Sequence, residues 1–389
     1  TDIVTLQSGA VSGALRLLAH GTVQQSGTVS AASMLVDLTQ GGASGGFVQM
    51  AGARLSATGA VRIASATDIV LTDLRTTAGD VTLTAGNRVS GGTAETPAVT
   101  STGGALSIEA ARIGGDTDAE ALSLEVKLID SLFTPDAGVL DRTINVISRG
   151  DTTLVAMDTT GVARFVQQSG NLTLGGRATV GKLDMGVIDG NLSQTAAARL
   201  TVTDDIDLAA DDLLPGDAVQ KGNMALTSLV SLTGDIRLMA AGAVVDGSDD
   251  RETAILRTQD ASGTISITAG SIGANTKAGR VEVQTGTLAS VLASGDANLT
   301  LLTGGVVQSA NTGSALRIDA DAGDLTVTGI LEAQTALLDS WAGSVRMMGE
   351  AQLATTGSVT VTADEDITLT RIEANGGDVV PAVILTAGE

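Results

Sequence analysis

The chain has 389 residues, 44 of them acidic and 22 basic, for a net charge of −22, with no cysteine and one histidine. That balance opposes a nucleic-acid partner, which needs a basic face, and adhesion to anionic lipid; the missing cysteine excludes disulfides and thiol chemistry. Hydrophobic residues make up 43% of the chain but aromatic ones only 1%, so the core must be almost wholly Val, Ile, Leu and Ala.

In chain order, the first element is Ile3-Val4-Thr5-Leu6, an alternation that opens in mid-pattern. About fourteen times thereafter the chain repeats one phrase: a glycine, a small or polar residue, then aliphatic–polar–aliphatic. Gly59-Ala60-Val61-Arg62-Ile63 and Gly79-Asp80-Val81-Thr82-Leu83 are early copies; Gly234-Asp235-Ile236-Arg237-Leu238, Gly263-Thr264-Ile265-Ser266-Ile267 and Gly357-Ser358-Val359-Thr360-Val361 are later ones. Each reads as a turn feeding a short strand with one apolar face, because side chains alternate along a strand. One such strand cannot bury its face alone, whereas a stack can, so the pattern predicts a solenoid. Most steps between copies lie near 20 residues and the spacing is irregular, which suits a parallel β-helix whose corners tolerate insertions; at about 20 residues per coil the chain makes roughly 19 coils. The expected fold is a single all-β solenoid over residues 1–389. Its aliphatic residues, such as Val81, Leu83, Ile265 and Ile267, face inward, and Thr82, Arg237 and Ser266 face outward.

A second motif, Gln24-Gln25-Ser26-Gly27, returns as Gln167-Gln168-Ser169-Gly170 and as Gln308-Ser309. Three stretches break the pattern and read as loop insertions, near 116–149, 209–222 and 246–254. Within the first, Leu122-Ser123-Leu124-Glu125-Val126-Lys127-Leu128 alternates strictly and reads as a strand, followed by a turn at Pro135-Asp136-Ala137-Gly138. The chain ends on another strand phrase, Val383-Ile384-Leu385-Thr386. Neither end carries a polar cap, and the first residue is Thr1, so we expect a segment of something longer, continued by covalent neighbours or by copies of itself end to end.

Together these phrases, glycine–polar–aliphatic alternations interleaved with Val-Gln-Gln-Ser-Gly and Asp-Ile-x-Leu over nearly the whole chain, resemble the repetitive shafts of filamentous-haemagglutinin-like adhesins and related giant bacterial surface proteins. The resemblance implies a right-handed parallel β-helix, exported to the bacterial surface or secreted, and serving adhesion, aggregation or biofilm structure with surface glycans or proteins as partners.

Chemistry-bearing residues are few. The carboxylate pairs Asp204-Asp205, Asp211-Asp212, Asp249-Asp250 and Asp364-Glu365-Asp366 could do acid–base work on a glycoside, but Asp beside a turn more often caps backbone groups. A polysaccharide lyase or hydrolase is the alternative function; the order of motifs expected of a polygalacturonase is missing, and four scattered aromatics cannot line a sugar cleft. His20, the sole histidine, has no nucleophile-elbow motif to serve and reads as a surface residue. Asp116, Asp118 and Glu120 place carboxylates at alternate positions after Gly114-Gly115, which partly resembles a calcium loop but lacks its later Gly and distal Glu. They are the candidate metal ligands, and calcium the candidate ion, for a third function as a calcium-dependent surface-layer element. No catalytic residue or other cofactor is expected, nor is a membrane-spanning segment.

Overall fold

A computed structural model describes residues 3–40, 45–135, 142–210, 222–248, 254–375 and 382–388. Strands make up 64% of the structure and stack as a parallel β-solenoid of about 16 turns. The count is lower than the expected 19 because many coils are longer than 20 residues. From Val61 to its ladder partner Val81 a coil takes 20, but from Ile206 to Ile236 it takes 30.

The chain divides into two compact units, Thr1–Asp189 and Gly190–Glu389. Within the first, a coil contributes three strands, for example Thr22–Gln25, Thr28–Ala31 and Ser33–Leu38, and each pairs in parallel with its counterpart in the next coil, Phe47–Gln49, Arg54–Ala57 and Val61–Ser65. The second unit repeats the plan: Leu325–Val327, Ile330–Ala333 and Thr335–Ser340 pair with Val345–Met347, Gln352–Thr355 and Val359–Ala363. Three sheets thus enclose a core of aliphatic ladders. In the first unit one ladder runs Met34, Val61, Val81, Leu106, Ile129, Leu154, Leu174, all buried. In the second, Leu208, Leu238, Ile267, Val291, Ala310, Leu331 and Leu353 do the same. The expected register holds: Val81, Leu83, Ile265 and Ile267 are inside, Arg237 is exposed, and Thr82 and Ser266 are partly so. Two rings enter the otherwise aliphatic core. Phe47 stands in a ladder between Val23 and Ile69 and Phe165 between Val146 and Met185, both wholly buried.

Polar residues of the repeated phrases serve the corners. The Asp or Asn after the glycine accepts a backbone N–H from the next coil: Asp80 from Ala105 at 3.0 Å, Asp151 from Asn171 at 2.8 Å, Asp235 from Thr264 at 2.8 Å and Asp324 from Ser344 at 2.9 Å. Gln25 and Gln167 of the second motif are buried, Gln25 donating to the Arg54 carbonyl at 3.2 Å and Gln167 to the Ser169 carbonyl at 2.6 Å, and two further buried glutamines outside those copies tie corners together. Gln49 donates to the Asp73 carbonyl at 2.9 Å and accepts from the Thr72 and Asp73 amides; Gln194 accepts from the Thr227 and Ser228 amides at 2.7 and 3.0 Å. Gln308, by contrast, is exposed.

Of the stretches expected as insertions, the one near 116–149 narrows to a tight loop. A 3-10 turn, Asp118–Glu120, leads directly back into ladder strands Leu122–Phe133 and Thr143–Arg149. Residues 136–141, with most of the Pro135–Gly138 turn, lie outside the described residues, as do 211–221 and 249–253, which hold most of the other two loops.

That loop occurs twice. Residues 104–134 and 263–293 match without a gap, Ile113-Gly114 onto Ile272-Gly273 and Thr117 onto Thr276. Both copies carry a 3-10 turn, Asp118–Glu120 and Lys277–Gly279. Both close with the same backbone bonds, Gly115 N–H to Glu120 O and Glu120 N–H to Thr117 O in one, Ala274 N–H to Gly279 O and Gly279 N–H to Thr276 O in the other. Gly114 and Gly273 have φ of +74° and +59°, and a Cβ at either would strike the carbonyl oxygen of Asn145 or Asn298 in the following coil, so only glycine fits.

Candidate functional site

The two copies of the loop differ in what they cover. Each lies over the outer face of one sheet, where residues would ordinarily be wet. Under the first copy Ser123 and Asn145 are buried, and Asn145 donates to the carbonyls of Gly115 and Thr117 at 2.8 Å each. Under the second copy the outward row is Glu282, Thr300, Asp319 and Asp339, aligned coil by coil. Glu282 is 3% exposed and Asp319 0%.

Asp319 is the centre of this charged cluster. Arg280, itself 4% exposed, donates to it through Nη1, and Arg317 donates through Nε at 3.0 Å and Nη2 at 3.2 Å. Burial lowers the pKa of Arg280, and the neighbouring Arg317 lowers it further. Burial raises the pKa of Asp339, whose carboxylate also accepts from the Trp341 indole. Lys277, on the loop, stands 4.7 Å from the centroid of that ring, and Trp341 remains 55% exposed. Among the described residues Glu282 has no such cation. Its pKa is pushed up to about 7, first by burial and then by Asp246, whose side chain shares a hydrogen bond with it, and by Asp321. Its Oε2 is buried with no hydrogen-bond partner.

The raised pKa of Glu282 makes a pH-dependence measurable. In the folded chain Glu282 holds its proton more tightly than in the unfolded chain, so its burial is harmless below the ordinary glutamate range. The penalty grows as pH rises from about 4.5 to about 7 and is complete above it, where it amounts to about 3 kcal/mol. With a chelator present, Glu282→Gln should therefore melt above wild type at pH 8 and with it at pH 4.5. A difference that does not change between the two pH values would contradict this.

The metal ligands expected from sequence are not gathered into one site. Asp116 accepts from Arg112 Nη2 at 3.0 and 3.1 Å, Asp118 pairs with Arg164, and Glu120 accepts from the Thr117 hydroxyl at 3.2 Å. Among the described residues no group of three or more His, Cys, Asp or Glu side chains is arranged to hold a metal ion. The carboxylate pairs are dispersed as well. Asp205 accepts the Asp235 amide at 3.1 Å and Glu365 the Ser344 hydroxyl at 3.3 Å, while Asp211, Asp212, Asp249 and Asp250 lie outside the described residues. His20 is exposed. The buried cluster around Asp319 and Glu282 was not foreseen, because in sequence its members read as solvated alternates of ordinary strand phrases. The one signal was Arg280-Val281-Glu282-Val283, charges at both outward positions of a strand that directly follows a loop.

A groove of about 610 Å³ on the first unit is lined by Thr100, Glu125, Lys127, Arg149, Asp151 and Asn171. Its charges balance and no aromatic ring lines it. Arg149 is committed to the Glu95 carbonyl and the Gln168 side chain, each at 2.8 Å. No protein-family model, curated protein or solved structure matches the chain. Among the described residues no helix is long and apolar enough to cross a membrane.

Proposed function

We propose that the chain is a structural, adhesive segment of a secreted or surface-anchored bacterial protein, working at the cell surface without catalysis. The observation that carries this reading is the continuity of the ladders: within each unit the same aliphatic rows pass from coil to coil, with corner amides and carboxylates bonded to the next coil. A polymer built this way resists unravelling, because each coil is hydrogen-bonded along its length to its neighbours. A carbohydrate-active site is the weaker reading. Among the described residues, the clustered carboxyl groups Glu282 and Asp319 are sealed from solvent and could not reach a glycosidic bond.

The reading is tested by displaying the chain on a non-adherent bacterium. Displaying cells should aggregate, or attach to glycan- or protein-coated surfaces, above the undecorated strain. The purified chain should release neither reducing ends nor unsaturated sugars from a panel of polysaccharides. Product release that tracks the protein, or attachment no higher than the undecorated strain, would overturn the proposal.

A further inference from the structure

The duplicated loop supplies its own control. At the position of Glu282 the first copy has Ser123, and at the position of Arg280 it has Ala121; both copies nonetheless close with the same backbone bonds around the same left-handed glycine. A buried carboxylate is therefore not required to build this element. In the second copy it is present, 3% exposed, with Oε2 lacking any hydrogen-bond partner. Among the described residues the cations of the cluster are spent elsewhere, Arg280 and Arg317 on Asp319 and Lys277 against the Trp341 ring. What does meet Glu282 is a second acid, Asp246, at the end of strand Ile236–Asp246. Burying one carboxylate against another costs several kcal/mol unless a positive charge joins them.

We propose that Glu282 and Asp246 are the protein carboxylates of a calcium site that fastens strand Ile236–Asp246 to strand Val281–Gln284 in the second unit. The donor chemistry selects the ion class. Oxygen is the only donor type in reach: the chain has no cysteine and its one histidine, His20, belongs to the other unit, so soft and borderline metals lack their preferred ligands. The Thr300 hydroxyl, next to Glu282 in register and 4% exposed, adds an oxygen of the same kind. Calcium takes irregular shells of carboxylate, hydroxyl, carbonyl and water oxygen, whereas magnesium demands a near-ideal octahedron and gives up water reluctantly. The site is distinct from Asp116, Asp118 and Glu120, whose equivalents in the second copy are Asn275, Lys277 and Gly279.

The experiment compares chelator-stripped full chain with chain in about 5 mM calcium chloride or magnesium chloride at pH 8. Calcium should raise the melting temperature by about 5 °C and magnesium by much less, since ligand held only by the folded state stabilises it. Glu282→Ser, which installs the residue of the first copy, and Glu282→Gln should lose the calcium shift. Equilibrium dialysis with radioactive calcium should find one ion fewer per chain in Glu282→Ser than in wild type, whatever the variant's melting temperature. The triple variant Asp116→Asn/Asp118→Asn/Glu120→Gln should keep both the shift and the ion. An equal shift in wild type and both Glu282 variants would mean general screening of the net charge. Loss in the triple variant alone would place calcium on the first copy. No shift and no bound ion in wild type would mean that a proton alone joins the pair. Each of these three results overturns the proposal.

Discussion

Ile265→Asp should unfold the second unit or cost it more than about 4 kcal/mol, whereas Ser266→Lys, one residue along, should change stability by no more than about 0.5 kcal/mol. Ile265 is wholly buried in a ladder between Ile236 and Leu288, and Ser266 is aligned with the exposed Arg237 on the outward side of the same strand. The aspartate would lose the transfer energy of a buried isoleucine and place an unpaired charge among aliphatic side chains. Because the strand repeat is two residues, the neighbouring lysine lands in water. Chemical denaturation followed by circular dichroism compares the two variants directly. Similar losses in both would mean that the register described here is wrong.

Removing the central carboxylate of the charged cluster should be nearly as damaging. Asp319→Ala leaves Arg280 and Arg317 facing one another without their shared anion, and Arg280 is almost fully buried with its Nε already lacking a partner. Breaking a buried ion pair from one side costs about 3–5 kcal/mol, since the surviving charge stays desolvated. The double variant Arg280→Ala/Asp319→Val should recover most of that loss. It reproduces the first unit, where Ala121 occupies the position of Arg280 and Val166 the corresponding place in the outward row. Arg317, 24% exposed, can then turn to solvent. An unfolding free energy within about 0.5 kcal/mol of wild type for Asp319→Ala would show that the cluster contributes nothing to the fold.

Much of this molecule was legible before folding. The alternation in Gly79-Asp80-Val81-Thr82-Leu83 and its copies specifies a strand with one apolar face, since side-chain period two is a local property of an extended backbone. Repetition of that strand specifies stacking, as no single copy can bury its face. The scarcity of aromatic residues and the glycine before each strand belong to the same local level. So does Leu122–Phe133, which reads as a strand by its alternation and folds as one. The coil number was less secure, because a phrase marks a strand and not the length of the corner that follows it.

What only the tertiary structure decided is which outward residues are not outside. Thr82 and Glu282 occupy equivalent alternating positions in their strands, and nothing in a five-residue window separates them. Thr82 is partly exposed; Glu282 is sealed, because the loop around Lys277–Gly279 folds back over its sheet. Asp319 is reached by Arg280 from 39 residues away, a contact set by the stacking of coils and invisible to sequence spacing. The same stacking turned the buried Gln49 and Gln194 into corner ties and left Gln308 in solvent. Periodicity reports the direction a side chain leaves the backbone. Burial depends on what the rest of the chain places in its way, and in a solenoid that is settled one or two coils away.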